Sequence, residues 1–293
     1  MLQTMKAVNS TLTLATLAGC AQQPADVADT VYTNGKIYTV NEAQPWAEAV
    51  AIKDGRFVVV GSTADVEAVT GDETEVVDLG GAFAMPGMID VHTHGIDAHL
   101  PSAIQLSDPS DLDLILSEIE AHVEHTNHVK ALGADRLQQW YPVKSLMDRG
   151  VVVALATDYP VDQINPFVHI ESAHTREHPL GEAEGTLGAD EAISREAAIR
   201  AYTLNPAYIL GWDDIIGSIE VGKYADMVVL DRNPLEVPVE AISDTRVVTT
   251  VFAGEVVYES GTEVASSDSA EAMRLAALTR LMASDHPCAA HDG

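Results

Sequence analysis

The run Pro86-Gly87-Met88-Ile89-Asp90-Val91-His92-Thr93-His94 places two histidines two positions apart after an apolar stretch. The Pro-Gly pair reads as a turn and the residues after it as a short buried strand. Side chains on a strand alternate faces, so His92 and His94 point the same way. Two imidazoles on one face at a strand's end can share one metal ion. A His-x-His pair by itself is common, and the plain alternative is two strand-end histidines with no ion.

The elements around this run must position it. Short β runs come first. Thr30–Tyr32 turns at Asn34-Gly35 into Lys36–Val40, and Ala49–Lys53 turns at Asp54-Gly55 into Arg56–Gly61, two hairpin signals. Glu75–Asp78 is a further short strand, so this region reads as a β unit with no helix of its own. Asp226–Asp231, Val247–Phe252 and Glu255–Tyr258 are again β-rich, with Ala253-Gly254 as a turn. Between the two β regions, Ser110 to about Val123 has helical spacing. Ser194 is an N-cap for a helix that Asn205-Pro206 interrupts, with one more turn over Ala207–Leu210 ended by Gly211. Ser269–Ala283 reads as an amphipathic helix.

Three segments in order resemble one family, the amidohydrolase superfamily of metal-dependent hydrolases. Pro-Gly-x-Ile-Asp-x-His-x-His resembles its first barrel strand, and Val151–Val161 its last, which ends in a catalytic aspartate at Asp158. Gly217–Asp231 resembles the strand-turn-strand closing the accessory β domain. The flanking sequence is most similar to the subgroup of N-acyl-amino-acid deacylases and N-substituted formamide deformylases. The resemblance implies an α/β chain: a (β/α)8 metallo-hydrolase barrel plus a composite β-sandwich built from N- and C-terminal segments. It implies residues 29–83 with 217–262 as the sandwich, 84–216 as the barrel, and 263–293 as a C-terminal helix and tail. Active sites of such barrels lie at the C-terminal strand ends. The implied metal ligands are His92, His94 and Asp158, holding a divalent ion of the zinc kind, with Asp158 also the catalytic base. The implied reaction is hydrolysis of a non-peptide C–N bond in a small-molecule amide or N-acyl compound.

The sequence also departs from the family. A full barrel takes about 250 residues, and 84–216 offers about half that. The middle strands, with their bridging carboxylate and further histidines, are not visible. Val123-Glu124-His125 resembles the subgroup's Ile-Glu-His, and Asn127-His128 echoes the next histidine position; exposed histidines at a helix end are the alternative. An incomplete barrel, and with it weak or absent catalysis, is therefore expected. The alternatives are a non-catalytic surface-anchored remnant or binding protein, and a homo-oligomer whose chains complete each other's barrels.

The charge balance limits the partners. With 16 Lys+Arg against 45 Asp+Glu, the formal charge is −29. Such a surface repels nucleic acid and anionic membranes. Cys20 and Cys288 cannot form a disulfide framework. Leu17-Ala18-Gly19-Cys20 resembles a bacterial lipobox, so residues 1–20 read as a lipoprotein-like signal. That implies a lipid-anchored or periplasmic protein of the cell envelope, touching membrane only through Cys20.

Overall fold

A computed structural model of the chain describes residues 27–93, 141–159, 162–178 and 185–261. Two wholly apolar runs lie at its centre, Phe83–Pro86 and Met227–Leu230. Each is buried on both faces, and each forms a strand. The strands of the first half are β1 (Thr30–Thr33), β2 (Lys36–Tyr38), β3 (Trp46–Ala47), β4 (Ala49–Lys53), β5 (Arg56–Gly61), β6 (Glu75–Asp78) and β7 (Phe83–Pro86). Those of the second half are β8 (Met227–Leu230), β9 (Val247–Phe252) and β10 (Glu255–Glu259). A four-stranded sheet has the order β5-β4-β1-β6, and a six-stranded sheet has the order β10-β9-β8-β7-β2-β3. β7 and β8 pair antiparallel from Phe83↔Leu230 to Pro86↔Met227, which joins the two halves of the chain.

Period-2 alternation explains why β7 and β8 carry no polar face. Ala84, Met227 and Val229 face one way and share a cluster with Tyr32, Val50, Ile52 and Phe57 of the four-stranded sheet. Phe83, Met85, Val228 and Leu230 face the other way, toward helices. Those helices are α3 (Pro166–Thr175) and α4 (Arg195–Tyr202), which contribute Phe167, Ile170, Ile199 and Tyr202. Each large side chain buried there stabilises the packing by about 1.5–3 kcal/mol. The six-stranded sheet is thus a middle layer between a second sheet and a helical layer. The shorter helices are α1 (Thr63–Glu67), α2 (Val143–Met147) and α5 (Leu204–Ile209).

Two tight turns have the geometry their sequences demand. Asp54-Gly55 (φ 48° and 74°) and Ala253-Gly254 (φ 50° and 87°) both take positive φ at the two central residues. That is the type I′ requirement, and each closes a hairpin. The helix after Ser194 also matches, since the Ser194 side chain accepts the Ala197 amide. Its break falls at Thr203 (φ −125°, ψ −83°), and Pro206 sits in the first turn of α5, where proline is tolerated.

Three expectations are corrected. Asn34-Gly35 does not close a hairpin. β1 is already flanked by β4 and β6, so β2 crosses into the other sheet and pairs with β7 and β3. Gly35 serves close packing instead, because a Cβ there would lie 2.5 Å from Leu79 Cδ1. The first β region also has its own helix. Ser62 and Asp65 form a reciprocal capping box that starts α1, and Val66 is buried against Val31, Ala49 and Ala51. Finally, Met88–Thr93 and Val151–Ala156 are not strands. A strand needs a neighbouring ladder, and here one amide of each segment, Ile89 and Leu155, bonds to the end of α4. The helices expected at 110–123 and 269–283, and the segment 1–20 with Cys20, lie outside the described residues.

Candidate metal centre

The chain leaves β7 at Pro86, and the Gly87 amide donates to the Asp226 carbonyl at 3.0 Å. Two residues on, the Ile89 amide donates to the Tyr202 carbonyl at 2.8 Å. The second segment, Val151–Tyr159, docks on the same helix end. The Leu155 amide donates to the Ala201 carbonyl at 2.9 Å, and Asn205 Nδ2 donates to the Val153 carbonyl at 2.8 Å. Carbonyls in the last turn of a helix have no partner within it. The C-terminus of α4 therefore anchors both segments side by side.

Asp90 and Thr157 then lock them together. Thr157 is 3% exposed, and its hydroxyl donates to Asp90 Oδ2. The Thr157 amide lies 3.3 Å from Asp90 Oδ1, which also accepts the His92 amide at 3.1 Å. The Tyr159 amide in turn donates to the Thr157 hydroxyl at 3.2 Å. Further along, the Asp158 amide donates to the His92 carbonyl at 3.0 Å, and the Thr93 hydroxyl to the Tyr159 carbonyl at 3.1 Å.

This scaffold brings His92 Nε2 to 3.0 Å from Asp158 Oδ1. The two residues are 66 positions apart in the sequence. Their side chains are 65% and 44% exposed, although the Asp158 Oδ1 atom itself is covered. Asp158 holds φ at 54°, a left-handed conformation that Asp adopts more readily than most residues. Such conformations cost free energy and cluster at functional sites. His94 lies outside the described residues, as do His125 and His128. Among the described residues, no group of three or more His, Cys, Asp or Glu is arranged to hold a metal ion. Tetrahedral ligands about 2.0–2.1 Å from one ion lie about 3.3 Å apart. The 3.0 Å separation of His92 Nε2 and Asp158 Oδ1 is close to that. An imidazole and a carboxylate are also the right donor types for a divalent ion of the zinc kind.

Sequence reasoning missed three supports. Asp90 stood inside the quoted motif and Thr157 next to Asp158, but neither position signalled their mutual hydrogen bond. Tyr202 lies beneath the site at 1% exposure. Burial, with Asp90 and Asp162 nearby, pushes its phenol well above the ordinary range. His169 and His174 are tethered elsewhere, each with a ring nitrogen 2.8 Å from a backbone carbonyl, of Gln163 and Ile193 respectively.

Residues 125–258 match the model of the Amidohydrolase family. Over these residues the chain is similar to the amidohydrolase family. The matched segment includes Asp158, and the Pro86–His94 run lies ahead of it. The chain is similar to N-substituted formamide deformylase of Arthrobacter pascens, with 38% identity over 119 residues. That stretch covers 41% of this chain and 21% of the deformylase. It is also similar to the exoenzymes regulatory protein AepA of Pectobacterium carotovorum subsp. carotovorum, 32% identical over 149 residues, which are 50% of this chain and 31% of AepA. The chain thus spans about a fifth to a third of the length of these two relatives. In fold it is similar to a zinc-bound adenosine deaminase from Xanthomonas campestris. The TM-score is 0.57 at 14% identity, covering 88% of this chain and 100% of that one.

Proposed function

We propose that this chain is a metal-dependent amidohydrolase of non-peptide C–N bonds in small amide or N-acyl compounds, working weakly or not at all because its barrel is incomplete. The observation that carries this reading is the convergence of His92 Nε2 and Asp158 Oδ1 at 3.0 Å, held by the Asp90–Thr157 bonds. In this reading residues 29–83 with 217–262 form the composite β-sandwich, and 84–216 are the remnant of the barrel. His92, His94 and Asp158 hold a divalent ion. When bound, such an ion activates water near neutral pH and polarises the scissile carbonyl. The Asp158 carboxylate takes the proton of the attacking water and passes it to the leaving nitrogen as the C–N bond breaks. Asp90 and Thr157 keep the two segments in register. A lipid on Cys20 would hold the protein in the cell envelope.

The test is metal content per purified full-length chain, compared with His92→Ala/His94→Ala. About one equivalent of zinc, lost in the double variant, is the expected outcome. Chelator-sensitive hydrolysis of an N-formyl amine, lost on Asp158→Asn, would then assign the chemistry. A folded protein without stoichiometric metal would defeat the reading.

A specific observation favours a second reading, the self-completing oligomer or non-catalytic remnant. Val151 and Val152, which the family resemblance places on an interior strand, are 47% and 40% exposed. Light scattering separates the two forms of this reading: a dimer or larger species fits completion by a second copy, and a monomer fits the remnant.

A further inference from the structure

A cleft of about 410 Å3 opens beside the turns at Asp54-Gly55 and Ala253-Gly254 and shares no residue with the His92–Asp158 site. It lies between the two sheets at their edge strands β6 and β10, which place Glu75 and Glu255 on its rim. Asp29, at one side, is already answered: it pairs with Lys53 Nζ at 3.2 Å and accepts the Asp54 amide at 2.7 Å. Among the described residues, no cation pairs with Glu75 or Glu255.

Tyr32 supplies an independent observation. It lines the cleft although it is only 2% exposed. Among the described residues its hydroxyl makes no hydrogen bond, and its oxygen is not closed off from the cleft. Burial, with Glu75, Glu255 and Glu259 nearby, pushes that phenol up to about 12. It therefore stays neutral, with an oxygen able to accept an N–H. Ile52 and Val256 add apolar wall. No group of three carboxylates is arranged around a single ion among the described residues. Separated charges with apolar wall between them suit an extended organic cation better than a metal. The volume falls at the lower end of small-ligand sites, about 300–1,000 Å3.

We propose that this cleft binds an alkylammonium group, from a free polyamine or a lysine side chain, with Glu75 and Glu255 supplying charge and the Tyr32 hydroxyl the orienting acceptor. The methylene stem lies along Ile52 and Val256, as lysine stems do on apolar surface.

The test is calorimetric titration of the full chain with spermidine and with acetyl-Gly-Lys-Gly-amide, at about 0.15 M salt to screen diffuse attraction. Saturable one-to-one binding of at least one probe is expected. Tyr32→Phe should weaken it about tenfold with melting unchanged, because the hydroxyl removed has no partner among the described residues. Glu75→Gln/Glu255→Gln should abolish it, and Glu67→Gln, on the exposed side of α1, should not. Binding of spermidine alone assigns a free polyamine; tighter binding of the peptide assigns a protein lysine. Unsaturable binding, or equal loss in Glu67→Gln and the cleft variants, would mean only counterion attraction to a chain of charge −29 and would overturn the proposal. Should Tyr32→Phe fail to fold, the paired glutamate variant decides alone.

Discussion

Thr157 is almost closed to water, and its hydroxyl donates to the carboxylate of the exposed Asp90. Thr157→Val keeps the shape and removes that donor. Water can reach the exposed Asp90, so only the net worth of the hydrogen bond, about 0.5–1.5 kcal/mol, is expected to be lost from stability, with the His92–Asp158 contact loosened. No change in melting would mean that water substitutes for the hydroxyl. Tyr202 makes the opposite case. Its hydroxyl is buried with no partner among the described residues, so Tyr202→Phe should leave stability unchanged or raise it by up to about 1 kcal/mol. A clear loss would reveal a partner in the segments outside the described residues. At this scale the sequence singled out His92, His94 and Asp158, of which the structure brings His92 and Asp158 together and His94 lies outside the described residues. It could not make Asp90, Thr157 or Tyr202 legible as supports, because each role depends on a residue tens of positions away.

Two tight turns illustrate the element scale. A Cβ on Gly55 would lie 2.6 Å from the Ala253 carbonyl oxygen, so the turn of one sheet rests on the turn of the other. Gly80 has the same sign of φ, at 59°, with nothing within 4 Å of a Cβ. Gly80→Ala should therefore cost only the conformational penalty, about 1–2 kcal/mol. Gly55→Ala adds a backbone clash and should cost at least about 1 kcal/mol more. Denaturant unfolding of both variants measures the difference, and equal losses would refute the packing argument. The Asp-Gly signal predicts this hairpin from sequence because the turn type is a local property. The Asn34-Gly35 signal fails because positive φ at one residue does not choose which edge the next strand joins. The capping box at Ser62 and Asp65 was readable but too short a helix followed it to show a period.

For the whole molecule, charge sets the conditions. At −29 the folded chain repels itself, and added salt should raise its melting temperature at pH 7. Protonating carboxylates relieves that repulsion, so the salt effect should shrink toward pH 5. Specific carboxylates then reverse the trend. The Ser145 hydroxyl and amide hold the Glu191 carboxyl below its ordinary value, and the Ser62 hydroxyl and amide do the same for Asp65. A depressed folded pKa contributes stability above the unfolded value, here 4.5 for Glu191 and 3.8 for Asp65, and loses it as pH falls through the folded value. Melting scans from pH 7 to pH 3 should therefore show little loss until about pH 4.5 and a decline below it; a decline starting near pH 6 would implicate histidines instead. Sequence alone determined the α/β composition, the hairpins at Asp54-Gly55 and Ala253-Gly254, the helix after Ser194 and the residue types of the candidate site. Those features are written in spacings of two to four residues. Only the tertiary structure decided that β7 and β8 join the two halves of the chain, and that the His92 and Asp158 segments hang from the end of α4 instead of forming strands. A ladder exists only where a second segment arrives to pair, and that segment is far away in the sequence.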